Sequence, residues 1–597
     1  MAQWIAIQGV STQHTRELSA RALQAFATIH RLEPSDAISS AGICAYMFPS
    51  HLAPPLKFER NPESGKWGGV AGPLFFGNLA GRKALCELVR ADLQRDSGRL
   101  DGSFSIVHGD CDGELTVVTD RIGTIHVCST NVGATAVITT SSLVLAALTD
   151  AGWDLLSCRE FLATGSVFGQ RTLFRGIEKI PPASIYKFQG GSLQSKSTYW
   201  KLSDFHYEQS RGVDVTERLA NSLENTLKTI SSNFAHPVLD LTGGLDSRAT
   251  VAAAMKTGCR FSTVVGGAEG DADVGIAGLI ARIYGLSHQR FEPSSDVRLE
   301  EAQAALALTD GEYDVFEYAR ISQIHSSLAR RYDASVNGSN GEICKGYWWE
   351  LLLPRTGSRS WFPDRRVASR RFAFAPDPDL LSVRFDQDLI THFTELIREA
   401  NEPMVGQPNT AKMDNIYLRL RMQRWQGRIA SATNRIWPAI SPFMFREPME
   451  VALTARPSKR LRNRLSRRLI EYFDVRLASL PLDNFFPALP LRLTTAPQFI
   501  RSLGHRSVRR DPSLAGSQAG TGCPKVNSEV REMISSPGLA SSGLFRPGAL
   551  ALLAEYSTKG RITGTVLGRV ATIELLAKEI RKFRLLLPDM HRSTLPS

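Results

Sequence analysis

The sequence lacks any apolar run approaching the roughly 18 residues that cross a bilayer, which excludes a helical membrane protein. Cysteine is sparse and scattered. The eight thiols, Cys44, Cys86, Cys111, Cys128, Cys158, Cys259, Cys344 and Cys523, form no CxxC pair and have no histidine at zinc-ligand spacing. A disulfide scaffold and a zinc ribbon are therefore excluded, and reduced thiols packed as small hydrophobes are expected. No GxxxxGK[ST] stretch occurs, which argues against a Walker-type phosphate site. The opening residues MAQWIAIQGVSTQHTRELSA have no basic start, apolar core or small-residue cleavage site, so a cytoplasmic location is expected. Internal repeats and low-complexity tracts are also missing.

What is present fits a large globular chain. At 597 residues it exceeds the size at which one core keeps growing, so at least two domains are expected. Charged residues make up 22% and the hydrophobic set 43%, near the average for soluble domains. The formal charge is +12, concentrated in arginines within 355–372 and 456–476 and at Arg506, Arg509 and Arg510. Aromatic residues are not interleaved with these clusters, so no nucleic-acid partner is expected. Most of the arginines read as solvated helix faces; the sharper alternative is that some face a pyrophosphate or a peptide carboxylate.

Periodicity divides the chain. Residues 1–205 carry short alternating runs such as SFSIVHG, ELTVVTD and TIHVCST between turn residues, which predicts an antiparallel, β-rich domain. A polar break follows, with 206–212 read as a linker and 213–597 as a second domain. There the order is helix, the strand HPVLDLT, a glycine turn, the helix SRATVAAAMKTG, the strand RFSTVVGG and the helix DADVGIAGLIARIYG. Strand alternating with helix predicts a doubly wound α/β sheet. Beyond about residue 410 helices dominate, with a Gly/Ser/Pro-rich loop at 511–529 and a closing amphipathic helix in TVLGRVATIELLAKEIRKFRLLL.

The chemistry concentrates in the turn Leu241-Thr242-Gly243-Gly244-Leu245-Asp246-Ser247, between a buried strand and a helix. Unpaired N–H groups and the positive end of a helix dipole favour phosphate there. Gly243 and Gly244 let the backbone approach an anion, Thr242 and Ser247 offer hydroxyls, and Asp246 makes sense as a magnesium ligand. Glycine pairs alone describe any tight turn. The functional reading gains from a second glycine turn, Val336-Asn337-Gly338-Ser339-Asn340-Gly341-Glu342, which also follows an apolar stretch. In a doubly wound sheet two such turns face one ligand, and Asp246 and Glu342 could share a metal.

LTGGLDS, NGSNGE, SPFMFREP (441–448) and, earlier in the chain, LDGSFSIVHGD and EFLATGSVFGQRTLFRGIEKIPPASIYKF resemble the asparagine synthetase family, most closely its lasso-peptide macrolactam synthetases, or cyclases. The resemblance implies an N-terminal Ntn-hydrolase-like antiparallel β-sandwich of the glutaminase type, followed by an ATP-pyrophosphatase synthetase domain with extra C-terminal helices. It implies ATP held by Leu241, Thr242, Gly243, Gly244, Asp246, Ser247, Asn337 and Gly338, adenine against the backbone near Val264, and Mg2+ on Asp246 and Glu342. A catalytic lysine of the family falls in the basic run after PFMF, where Arg464 and Lys459 are the two candidates. Departures are informative. Ala2 follows Met1 where glutamine-hydrolysing members have a cysteine, so the first domain is expected to lack glutaminase activity. Ser339 stands where those members carry glutamate and β-lactam synthetases a tyrosine.

The expected reaction is ATP-dependent amide formation through an acyl-adenylate, with an Asp or Glu side chain of a precursor peptide joined to the peptide's N-terminus. A leader-peptide protease and a leader-binding protein are the implied partners. The alternatives are an amidotransferase using ammonia or a small amine, and a non-catalytic nucleotide-binding scaffold.

Overall fold

The computed structural model describes residues 3–50, 52, 56–207, 214–292, 294, 296–372, 380–484, 486–500, 528–536, 538–541, 543–558 and 564–585. Most of the 206–212 linker, nearly all of the 511–529 loop, residues 1 and 2, and Arg506, Arg509, Arg510 and Cys523 lie outside these.

Residues 3–198 form two six-stranded antiparallel sheets. In one, Gln3–Gln8 sits between Ile43–Phe48 and Thr135–Thr139; in the other, Ser105–Gly109 sits between Trp67–Ala71 and Leu115–Thr119. Alternating residues from both, among them Trp4, Met47, Val107, Val117 and Ile138, make a shared core, and Trp4 Nε1 donates across it to Ser105 Oγ at 3.1 Å. Helices Thr12–Ala25 and Ser142–Thr149 cover one outer face and Gly81–Arg90 the other.

The later part is built on a five-stranded sheet with parallel pairing throughout, ordered His288–Phe291, Ser262–Gly266, Pro237–Asp240, Ala334–Val336, Ala439–Ile440. Chain order therefore runs outward from Pro237–Asp240 in one direction and then resumes on its other side. That reversal puts the topological switch point between Pro237–Asp240 and Ala334–Val336, where ligands of open α/β sheets settle. The helix expected from SRATVAAAMKTG spans Leu245–Thr257 and ends on Gly258 in the left-handed region (φ 68°), as a glycine stop should.

Two features were not expected. The final helix, Gly564–Leu585, does not close the second part alone: it packs on Ser142–Thr149 and Leu155–Thr164 of the first part, and Arg569 donates to Leu162 O at 2.9 Å. Between the two parts lies a buried ionic layer. Asp310 takes Arg435 at 2.7 Å and Arg428 at 3.2 Å, Glu312 takes Lys179 at 2.7 Å, and Glu160 takes His392 at 2.6 Å and also Arg171.

The seven described cysteines are free, and Cys44, Cys128, Cys158 and Cys344 are buried while Cys111 is exposed. Burial pushes the thiols of Cys128 and Cys344 up to about 12, so neither ionises at neutral pH. Alkylation of the native protein followed by peptide mass spectrometry is expected to mark Cys111 and to leave the four buried thiols unmodified until the protein unfolds.

Candidate functional site

The two glycine turns meet at the switch point. Gly244 is the N-cap of Leu245–Thr257 and brings no side-chain cap, so the first helical N–H groups stay open toward the crevice. Within the first turn Thr242 N donates to Ser247 Oγ at 3.1 Å, the two hydroxyls lie 2.9 Å apart, and Gly244 N donates to Thr242 Oγ1 at 3.2 Å. Thr242 and Ser247 thus brace the loop before any ligand arrives. Leu241 is buried, and its N donates to Val264 O at 2.9 Å.

Glycine is required in the second turn because the first presses on it. A Cβ on Gly338 would stand 2.8 Å from the Asp246 carbonyl carbon and the Ser247 amide nitrogen, and one on Gly341 would stand 2.6 Å from the Asp246 carboxyl carbon. Asn340 takes the left-handed conformation (φ 69°) and donates to Phe443 O at 2.8 Å, while Ser441 Oγ donates to Ser339 O at 2.5 Å. The SPFMF segment is therefore a buttress for the second turn. Asn337 Oδ1 accepts from Ser339 N at 3.0 Å, which ties the turn internally.

Four groups gather where the turns touch. Lys345 Nζ lies 2.5 Å from Asp246 Oδ2, and Tyr417 Oη donates to Glu342 Oε2 at 2.8 Å. Burial pushes the Asp246 carboxyl up to about 6; the Lys345 ammonium pulls against that rise and the Glu342 carboxylate adds to it. Burial works against the charge on Lys345, yet Asp246 and Glu342 together hold it above the ordinary lysine value. Tyr417 is raised well above the usual phenol value, by burial first and then by Glu342, so it remains a donor.

Lys345, Tyr417 and Gln426 were missed from sequence. Gly341–Cys344 is a 3-10 helix, whose three-residue turn sets Lys345 over Glu342. Tyr417–Gln426 is a π-helix. At 3.6 residues per turn its end residues, nine apart, would face opposite ways, whereas in the wider π turn they differ by about two turns and share a face. Tyr417 thereby reaches Glu342 while Gln426 Nε2 reaches Ser339 Oγ at 3.0 Å. Arg421, between them, lies over Trp425 at 4.4 Å and near Tyr347 at 5.6 Å and Trp348 at 5.9 Å, forming a cationic, aromatic wall beside Glu342.

Neither candidate for the basic catalytic group makes a hydrogen bond to either turn among the described residues. Arg464 is exposed and donates to Ser458 O at 3.3 Å; Lys459 is half-buried in the short helix Pro457–Arg460. Their neighbour Arg460 is committed elsewhere, bidentate on Asp414 at 2.6 and 2.8 Å. Asp273, also missed, accepts from Gly243 N at 2.7 Å, so a carboxylate holds an amide that a phosphate oxygen would otherwise accept from.

No family profile and no curated protein matches the chain. Among solved structures it is similar to the allosteric regulatory enzyme of purine biosynthesis at 8% identity, over 49% of this chain and 80% of that one, with a TM-score of 0.23. It is also similar to glutamine phosphoribosylpyrophosphate amidotransferase from B. subtilis, complexed with ADP and GMP, at 9% identity, over 48% of this chain and 65% of that one, again at 0.23. Likenesses of that extent carry no argument about activity, and the site is read from its own geometry.

Proposed function

We propose that the chain joins a carboxylate to an amine with ATP, through an acyl-adenylate, releasing pyrophosphate and AMP. The observation that carries this reading is the contact of the two glycine turns at the switch point, which brings Asp246, Glu342 and Lys345 to one open helix N-terminus. A magnesium ion suits this donor set. Asp246 Oδ2 faces Lys345 and Glu342 Oε2 faces Tyr417, and each carboxylate keeps a second oxygen without a hydrogen bond among the described residues. Magnesium is ordinarily held by one or two carboxylates, with phosphate oxygens and water completing its shell. When bound it would neutralise phosphate charge.

In this reading Gly243, Gly244 and the hydroxyls of Thr242 and Ser247 hold the pyrophosphate portion, and the bond from Gly243 to Asp273 opens as phosphate enters. Leu241, Asn337 and Gly338 shape the crevice, and the backbone at Val264 borders the adenine. Lys345 is placed to stabilise charge as pyrophosphate leaves, a role for which Arg464 and Lys459 remain the candidates by resemblance. The wall of Arg421, Tyr347, Trp348 and Trp425 beside Glu342 suits an extended peptide better than ammonia or a small amine. The preferred product is accordingly a macrolactam, formed between an Asp or Glu side chain and the N-terminus of one lasso-type precursor peptide. Holding both ends of one molecule removes a bimolecular step, worth up to about 7–11 kcal/mol. Incubating candidate precursor peptides with the protein, ATP and Mg2+ is expected to give a peptide lighter by one water together with AMP; ADP as the nucleotide product overturns the reading.

The Gly243–Asp273 bond favours one other reading, a nucleotide-binding scaffold without turnover. It predicts ATP binding and no peptide-dependent pyrophosphate.

A further inference from the structure

Five residues apart on the π-helix Tyr417–Gln426 stand Arg419 and Arg424. In an α-helix that spacing turns the side chains well away from each other, whereas in the wider turn of a π-helix residues five apart are a little over one turn apart and lie on the same side. Arg424 is 4% exposed, and its Nε and Nη1 have no hydrogen-bond acceptor. With the Gln423 amide turned to satisfy both of its ends, only Nη2 is engaged, by Gln423 Oε1 at 3.0 Å. Arg419 is half-buried, and its guanidinium has no hydrogen bond or ion pair among the described residues. The nearby carboxylates compensate this pair only in part: Glu312 and Glu160 attract Arg424, but neither is bonded to it, and with Asp310 they are already held by Arg428, Arg435, Lys179, Arg171 and His392.

Beyond burial, Arg419 lowers the pKa of Arg424 through their like charge, and two such charges in a protein interior without a bonded counter-charge are costly, since a buried arginine is normally paired. A water molecule could take the free N–H groups but would add no counter-charge. We propose that Arg419 and Arg424 form a binding site for a small oxyanion, a carboxylate or phosphate group seated between the two guanidinium forks where the N-terminal and C-terminal parts of the chain meet. The fork geometry of arginine matches the paired oxygens of either group. The location follows from His126 Nε2, in the N-terminal part, standing 2.9 Å from Gln423 O on the same helix. Burial depresses both guanidinium groups, each pushed down to about 10, as expected for cations short of a partner. This inference does not depend on the adenylation reading.

Thermal unfolding of the full chain tests it, comparing wild type, Arg424→Met and Arg419→Met in sodium chloride, sodium phosphate and sodium acetate at matched ionic strength. General salting effects, and any phosphate bound at the 241–247 turn, act on all three proteins alike, so the reading is the difference between them. Phosphate or acetate is expected to raise the Tm of the wild type by about 2–4 °C more than that of either variant. The salt that does so identifies the group as phosphate or carboxylate. Equal increments in all three proteins overturn the proposal. If Arg424→Met does not fold, Arg419→Met at the more exposed position decides alone: loss of the wild-type increment supports the site, and its retention overturns it.

Discussion

Replacing Asp246 with asparagine is expected to lower peptide-dependent pyrophosphate release by about 10²–10³-fold or more, with the Tm changed far less than by a core truncation. The asymmetry follows from where the carboxylate sits. Asparagine keeps the shape that packs under Gly338 and Gly341, whose absent β-carbons would come within 3.0 Å of Asp246. It removes the charge that faces Lys345 and offers a metal ligand. Gly341→Ala is the complementary change, because it keeps every charged group and pushes a methyl against the Asp246 carboxylate at 2.6–2.7 Å. The account expects both variants to lose turnover. If asparagine at 246 releases pyrophosphate at the wild-type rate, the Asp246 site is not where the chemistry occurs.

The second expected effect is on how stability depends on pH, and it begins well above the ordinary carboxylate range. His108 and His325 are pushed down to about 4 and His126 to about 3, in each case chiefly by burial. Glu312 favours the charged form of His126 but does not reverse the outcome. All three are therefore neutral in the folded protein at pH 5, whereas in the unfolded chain histidine takes its proton near pH 6.5. Below that point the unfolded state binds more protons at these three sites, so their contribution to stability falls as pH falls. Each histidine costs about 1.4 kcal/mol per pH unit until its folded value is reached, but three buried carboxylates offset that loss: Asp240 and Asp314, each pushed up to about 7, and Asp246, at about 6, hold protons in the folded state that the unfolded chain has released. The two sets nearly cancel between about pH 6.5 and 4.5, so the histidine contribution shows when one ring is removed and not in the wild-type profile. Asp310 and Glu312, held below the ordinary carboxylate range once burial is outweighed by their cations, bring a fall at lower pH. Their contribution is present above the unfolded carboxylate value and is lost as pH drops through the folded one. The Tm is expected to change little between pH 6.5 and 4.5 and to fall below about pH 4 as Asp310 and Glu312 lose their charge. His325→Gln, which keeps an acceptor for Trp437 Nε1 (3.1 Å), removes one of the destabilising contributions, so its Tm relative to the wild type should rise steadily as pH falls from 6.5 to 4.5. A difference between variant and wild type that stays constant over that range contradicts the burial of this ring.

Local sequence carried the scaffold of the site because strand, glycine turn and helix differ in periodicity within a few residues. LTGGLDS and NGSNGE could be placed at strand ends, and the parallel sheet that joins them followed from alternation alone. The parts that escaped depend on contacts distant in sequence. Nothing in YLRLRMQRWQ marks a π-helix, since its wide turns are held by Glu342, Ser339 and His126, which lie elsewhere in the chain. Lys345 was in plain view, three residues past Glu342, but reads as a solvated lysine unless the intervening turn is known to be 3-10. Arginines 419, 421 and 424 look alike in sequence. In the structure one lies over aromatic rings and two have no carboxylate bonded to them among the described residues, and the difference is set by tertiary surroundings. The docking of Gly564–Leu585 on helices of the first part was likewise invisible, because an apolar face does not name what covers it.

The central claim is that a carboxylate attacks the α-phosphate of ATP, and isotope transfer tests it most directly. A precursor peptide that yields a product lighter by one water is prepared with 18O in its side-chain carboxylate and turned over with ATP and Mg2+. The account predicts that one 18O appears in AMP, because the oxygen bridging carbon and phosphorus leaves with the nucleotide when the amine attacks. Label in inorganic phosphate, with ADP as the nucleotide product, would contradict it.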